Sequence, residues 1–188
     1  VEDSIKCPRY SGVLIEDVSI KPSPDWLKEK LEGLGIKSIN NIVDITNFVL
    51  WEYGQPLHAF DADKIKGGKI VVKCLEKDSV FTTLDGEDRK LSSDDLMICD
   101  ADDGMCIAGV YGGADSGIGE STQRIFLESA LFESSSIRRT SQRHGLRTDA
   151  AVRFEKGGDI GVTVSALKRA ANLIQEFGGG VVVSNIKD

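Results

Sequence analysis

The 188-residue sequence has no apolar run approaching the ~20 residues that a membrane-crossing helix needs, and its first residues lack the charged-then-apolar pattern of a secretory leader. No membrane partner is therefore expected. Its four cysteines, Cys7, Cys74, Cys99 and Cys106, include no C-x-x-C pair, which removes the common zinc and redox spacings. Cys74, Cys99 and Cys106 fall in or beside apolar segments, so reduced core thiols in a cytoplasmic protein are expected, with no metal site. No internal repeat and no low-complexity tract is visible. The P-loop, dinucleotide-binding, G-x-S-x-G and H-E-x-x-H patterns are all missing, which argues against a nucleotide-dependent, serine-hydrolase or zinc enzyme. Basic residues are the minority: 23 Lys+Arg against 30 Asp+Glu leave a net charge of −7. A chain of that sign does not track a phosphate backbone over a long stretch, and any RNA contact is expected to be local. The first residue is Val1 rather than Met, as expected of a piece cut from a longer protein.

What is present is an ordinary globular composition, 40% hydrophobic and 28% charged, enough for a sizeable core. Cys7 to Ile20 reads as a strand rich in β-branched residues, ended by Lys21-Pro22-Ser23-Pro24. A helix follows, with Ser23 as the expected N-cap, Pro24 at its first position, an apolar stripe through Leu27, Leu31 and Leu34, and Gly35 as its stop. Asn40 to Tyr53 has helical spacing despite its β-branched density. Four short alternating runs then suggest an antiparallel meander: Lys69 to Leu75, Val80 to Leu84, Leu96 to Cys99 and Met105 to Val110. Asp85-Gly86 is a hairpin-turn signal among them. Arg124 to Glu128 reads as a strand, and Ser134 to Arg143 as a helix capped by Ser134 or Ser135. An apolar stripe from Val162 to Phe177 predicts a last helix, with Asp159 as cap and Gly178-Gly179-Gly180 as stop, before a strand at Val181 to Ser184. The class is α+β: central antiparallel strands, barrel- or sandwich-like, with flanking helices.

Only two histidines are available for acid-base or water-orienting work near neutral pH, His58 and His144. His58 lies in G-Q-P-L-H-A-F-D, on a turn stiffened by Gly54 and Pro56 and surrounded by apolar residues. It can orient water or an ester carbonyl there, or simply be a buried histidine bonded to backbone. Glu128 interrupts the run I-F-L-E-S-A-L-F. It either turns out to solvent or points inward as an acceptor for a ligand hydroxyl, and period-two alternation does not decide between them. The glycines from Gly109 to Gly119 form either a flexible turn or a backbone surface that approaches a ligand closely. The stretch holding Arg138, Arg139, Arg143, His144, Arg147, Arg153 and Lys156 is the one cationic concentration, readable as an RNA-terminus contact or as a solvated helix face.

Six segments occur in one order: C-P-R-Y at Cys7, N-N-I-V-D-I-T-N-F-V-L at Asn40, G-Q-P-L-H-A-F-D at Gly54, G-V-Y-G-G at Gly109, F-L-E-S-A-L-F at Phe126, and H-G-L-R-T-D-A-A-V-R-F-E-K-G at His144. Together they resemble the B3/B4 region of the bacterial phenylalanyl-tRNA synthetase β subunit, from about Cys7 to Asp159. The resemblance implies a B3/B4-like editing domain over residues 1–160, with residues 161–188 as a helix and strand leading to the next domain. It also implies hydrolysis of the ester of mischarged Tyr-tRNA(Phe) after aminoacyl transfer. A second site that hydrogen-bonds the tyrosyl hydroxyl is physically sensible, because an apolar synthetic pocket rejects an added hydroxyl poorly.

By the same resemblance His58, Glu128 and Thr148 match the catalytic positions, with Glu128 reading the tyrosyl hydroxyl. Thr46, Asn47, Pro56, Ala59, Gly109, Gly112 and Ala150 match substrate-lining ones. The implied partners are the aminoacylated 3′ end of tRNA(Phe), its tyrosine moiety, and the α subunit of an α2β2 synthetase. No cofactor is implied for this segment, and ATP and magnesium belong to the full enzyme alone. The pattern departs at Asn40-Asn41, where some relatives place a basic residue before the V-D-x-T-N segment. Two rival readings are a non-catalytic module that binds RNA or scaffolds subunits, and a stand-alone amino-acid-binding domain.

Overall fold

The structure is a computed structural model that describes residues Val1–Asp188. Its strands are β1 (Arg9–Glu16), β2 (Leu57–Asp61), β3 (Val71–Cys74), β4 (Val80–Thr82), β5 (Asp88–Lys90), β6 (Leu96–Cys99), β7 (Gly104–Ile107), β8 (Tyr111–Gly112), β9 (Ile125–Leu131) and β10 (Val181–Val182). Its helices are α1 (Asp25–Gly33), α2 (Asn41–Tyr53), α3 (Ser134–His144), α4 (Asp149–Glu155) and α5 (Thr163–Gly178). Two four-stranded sheets, ordered β10-β1-β9-β2 and β3-β6-β7-β8, and a β4-β5 ribbon make the α+β class that the sequence pattern predicts. No helix is long and apolar enough to cross a membrane. All four cysteines are free thiols, and Cys7, Cys99 and Cys106 are buried.

The chain divides into two compact units. Unit 1 comprises residues 1–10, 64–117 and 131–158, and unit 2 comprises residues 11–63, 118–130 and 159–188. The division does not follow chain order, so α5 and β10 fall in the same unit as β2 and α2. In unit 2 one face of the β10-β1-β9-β2 sheet, through Val13, Ile15, Ala59, Ile125 and Leu127, joins a core with Leu27, Leu31, Ile42, Ile45, Val49 and the buried stripe of α5. Burial of such aliphatic side chains stabilises by roughly 1.5–3 kcal/mol each. In unit 1 the β6 and β7 strands are almost wholly buried, and Gly109, with φ +67, turns the chain where Phe132, Ile137 and Phe154 pack. A Cβ at Gly109 would sit 2.7–2.9 Å from those three side chains, so both the φ and the packing require glycine.

Several sequence expectations are corrected at element ends. β1 stops at Glu16 rather than Ile20, because Asp17 takes a left-handed φ of 59° that a strand cannot continue through. The run at Met105 to Val110 ends as a strand at Ile107 because of the Gly109 turn. Ser23 does not cap α1, whose N-cap is Pro24; its hydroxyl donates instead to Asp44 Oδ2 at 2.5 Å. Neither Ser134 nor Ser135 caps α3, because the Glu133 carboxylate accepts from the N–H groups of Ser135 and Ser136 with one oxygen each. Asp159 does not cap α5: it lies three residues before the N-cap, Val162, and accepts from Gly161 N. The Gly54-to-Asp61 segment, read as a turn, contains β2.

At the start of α2, Asn40 is the N-cap: its Oδ1 accepts from Ile42 N and Val43 N. Asp44, fully buried in the first turn, accepts from Ser23 Oγ, Ser38 Oγ and Ile39 N. Three donors on one buried carboxylate tie both segments leading into α2 to the helix that carries the chain onward to β2. Asp44→Ala leaves the buried Ser23 hydroxyl and two partly buried donors, Ser38 Oγ and Ile39 N, without their acceptor and is expected to destabilise by about 2–4 kcal/mol. Urea unfolding of the variant checks this, and a loss under about 1 kcal/mol would contradict it.

Candidate functional site

β2 leaves α2 through three residues that fix its direction. Gly54 closes α2 in the left-handed conformation, with φ 72°. Gln55 is buried and its Nε2 donates to the carbonyls of Pro56, at 3.0 Å, and Ala130, at 2.8 Å. That clamp fastens the entry of β2 to the far end of β9. At the other end Thr122 Oγ1 donates to Asp61 Oδ2 at 2.7 Å, and Ala62 N donates to Arg124 O at 2.9 Å. Gln55 and Thr122 are absent from the sequence-based set. The position of Gln55, directly after the helix-ending glycine, is the one signal that points to it.

Between the clamps β2 and β9 pair antiparallel with Leu57 opposite Ser129, His58 opposite Glu128, Ala59 opposite Leu127 and Phe60 opposite Phe126. Residues directly opposite in an antiparallel ladder project from the same face, and faces alternate along each strand. Ala59, Leu127 and Ile125 face the helical core. His58, Phe60, Phe126 and Glu128 therefore share the opposite face, which decides the question that period two left open for Glu128. Glu128 is 5% exposed, an inward carboxylate and not a solvated one. The Phe126 ring lies over Gly12 of β1, whose added Cβ would come within 2.1 Å of it, so Gly12 makes room for that ring.

The His58 ring meets the Phe60 ring edge-on at 4.4 Å between centroids. Its Nε2 is buried and has no hydrogen-bond partner within the chain. Burial, which disfavours the imidazolium, lowers its pKa from 6.5 to about 4. The neutral ring can then exchange hydrogen bonds with a small ligand or water but is a weak proton acceptor.

Thr46, 8% exposed on α2, donates to Val43 O at 2.7 Å, and Asn47 next to it is half-buried. Asn41 is buried, donating to Ser19 O and Phe177 O and accepting from Lys21 N, so both asparagines of the departing Asn40-Asn41 pair hold α2 in place. Pro56 is buried between the Gln55 clamp and His58, while Ala59 belongs to the core face. These residues, with His58 and Glu128, lie in unit 2.

Gly109, Gly112, Thr148 and Ala150 lie in unit 1. Thr148 is the N-cap of α4, accepting from Ala151 N at 3.1 Å, and its hydroxyl donates to Val110 O at 2.8 Å. It thus fastens the turn between Gly109 and Gly112 to α4, with its proton already engaged. Ala150 is half-buried on α4. In the basic stretch, Arg143 and His144 Nε2 both bind Asp95, which is fully buried. Burial pushes the Asp95 carboxyl up, but bonds from Ser92 N, His144, Thr140 and Arg143 outweigh it and hold it below the usual range. His144 is therefore a structural partner of Asp95 and not a second free imidazole. No group of three or more acidic, Cys and His side chains is arranged to hold a metal ion.

The family model for the B3/4 domain matches residues 6–179, and the chain belongs to that family. Over its full 188 residues it is 53% identical to the phenylalanine–tRNA ligase beta subunit of Bacteroides fragilis, covering 23% of that protein. It is also 53% identical over 188 residues to the corresponding subunit of Geobacter metallireducens, covering 24% of it. The chain thus spans about a quarter of the length of the curated relatives it matches. A solved structure of an N-terminal fragment of the phenylalanyl-tRNA synthetase beta subunit from Pyrococcus horikoshii matches with a TM-score of 0.59 and 13% identity, covering 94% of this chain and 47% of that one. That likeness concerns the fold.

The lowered pKa of His58 has a stability consequence of definite sign. Between about 4 and 6.5 the unfolded chain takes up a proton that the folded chain refuses, so stability is fully present above the ordinary histidine value and declines as pH falls toward 4. The loss attributable to this one group is on the order of 3 kcal/mol. Unfolding by urea near pH 7 and near pH 4.5 should show a larger acid loss in the parent chain than in His58→Gln. Equal losses would contradict the buried neutral imidazole.

Proposed function

We propose that this chain is the editing module of a phenylalanyl-tRNA synthetase β subunit and hydrolyses the ester of Tyr-tRNA(Phe). The observation that carries the reading is the pairing of His58 with Glu128 on one buried, aromatic-flanked sheet face. A phenol can lie among Phe60 and Phe126, with its hydroxyl donating to the Glu128 carboxylate. Phenylalanine brings no donor for that carboxylate and forgoes the hydrogen bond, which is the asymmetry that favours the tyrosyl group.

His58 Nε2 then serves the ester end. With a pKa of about 4 the ring is a poor general base at neutral pH, so its part is to hold water or the ester carbonyl by a hydrogen bond. The water oxygen adds to the carbonyl carbon, the ester C–O bond breaks, and the terminal ribose oxygen leaves with a proton. That same ribose terminus can help orient the water, since the chain presents no nucleophile-base pair for a covalent intermediate. Within unit 1, Thr148 is proposed to hold the turn between Gly109 and Gly112. Thr46, Asn47 and Ala150 remain proposed substrate-lining positions. The α subunit of an α2β2 enzyme is proposed to supply aminoacylation, with ATP and magnesium used there and no cofactor here.

The test is deacylation of Tyr-tRNA(Phe) by the full synthetase. Glu128→Ala should slow it roughly 10- to 100-fold, the worth of a hydrogen bond to a charged group, and should erode the preference over Phe-tRNA(Phe). His58→Ala should lower the rate by about 100-fold while aminoacylation is unchanged. Unchanged editing in both variants would refute the assigned site.

A further inference from the structure

The two arginines that have no partner inside the chain, Arg138 and Arg147, line the same depression in unit 1. Every other arginine is engaged: Arg89, Arg124, Arg143 and Arg169 form ion pairs, Arg139 interacts with Glu133, and Arg9 and Arg153 have partners as well. Arg138 projects from α3, Arg147 follows the end of that helix, and Lys156 caps α4. All three are exposed, and all three line a hollow of about 490 Å³ with Gln142 and a single carboxylate, Glu155. In a chain of net charge −7 this lining is net +2, from three cations and one anion.

The floor of the hollow is held rather than loose. Gly145 ends α3 with φ 66°, its N–H directed to Gln142 O and Ser141 O, and Ser141 Oγ donates to Leu146 O at 2.5 Å. His144, one residue earlier, is anchored on Asp95. A fixed backbone with unpaired guanidinium forks at its rim suits a phosphodiester, which accepts two parallel N–H bonds from each fork. Glu155 and the general acidity of the chain limit the contact to a short stretch of backbone.

We propose that the Arg138–Arg147–Lys156 hollow is a phosphate-contacting site for an RNA strand, separate in sequence and in unit from the His58–Glu128 face. The choice of RNA over an acidic peptide rests on the proposed editing function, which brings a tRNA to this chain. The hollow reads no base. It lowers the concentration of substrate needed and leaves the chemical step to other residues.

The test is binding of fluorescently labelled, deacylated tRNA(Phe) by this chain over a series of salt concentrations, with poly-glutamate as a competing arm. Arg138→Gln/Arg147→Gln/Lys156→Gln should weaken binding about 10-fold at low salt and reduce the slope of log affinity against log salt by about 2, near 0.7 for each single-strand phosphate left without its cation. Lys21→Gln/Lys37→Gln/Lys77→Gln makes the same charge change at exposed positions outside the hollow and should have a smaller effect. Equal effects of the two triple variants, no tRNA binding at low salt, or capture of poly-glutamate in preference to tRNA would overturn the proposal. Deacylation by the full synthetase separates the two readings. Loss of tRNA binding in the hollow variant, with editing indifferent to His58, would sink the editing function and leave the hollow standing. Editing that depends on His58 with tRNA binding untouched by the hollow variant would do the reverse.

Discussion

The antiparallel register of β2 against β9 is the constraint on which the candidate site depends. It sets His58 directly across from Glu128 and, on the other side of the same two strands, Ala59 across from Leu127. One ladder thus sorts apolar side chains into the helical core and chemical side chains onto the opposite face. A slip of one residue would exchange the faces, sending the imidazole and carboxylate into the aliphatic core. Such a slip is opposed at both ends, by Gln55 on Ala130 O and by Thr122 on Asp61, and throughout by the core residues that cannot leave their face.

That register is also why a carboxylate and an imidazole can be buried side by side. A buried polar atom without a partner is costly, and more so if it is charged. His58 meets that cost by remaining neutral, leaving Nε2 without a partner in the chain. His144 differs: Asp95 supplies a partner for its Nε2, and Asp95 is in turn supported by Ser92, Thr140 and Arg143. Of the chain's two histidines, one is a structural tie and the other retains hydrogen-bonding capacity.

Much of this architecture is legible in the sequence. Helical spacing from Asn40 and the apolar stripe of α5 follow from local rules. What local rules do not reach is competition. Ser23 is a plausible cap until Asp44 appears as a better partner for its hydroxyl, and Ser134 and Ser135 lose the cap of α3 to a neighbour with two oxygens. The orientation of Glu128 is hidden for a different reason: Leu127 to Ala130 are buried on both faces of β9, so hydrophobicity does not alternate. The role of Gln55 depends on a carbonyl 75 residues away, beyond any sequence window. The six ordered segments place the chain in its family, while the assignment of Ala59 to the core face and of the Thr148 hydroxyl to Val110 needs coordinates.

The most direct test of the central claim is a crystal structure of the chain with a non-hydrolysable tyrosyl-adenosine analogue. The phenol hydroxyl is expected within hydrogen-bond distance of the Glu128 carboxylate, and the atom that replaces the ester oxygen nearest the His58 imidazole. An analogue seated elsewhere, with the His58–Glu128 face untouched, would contradict it.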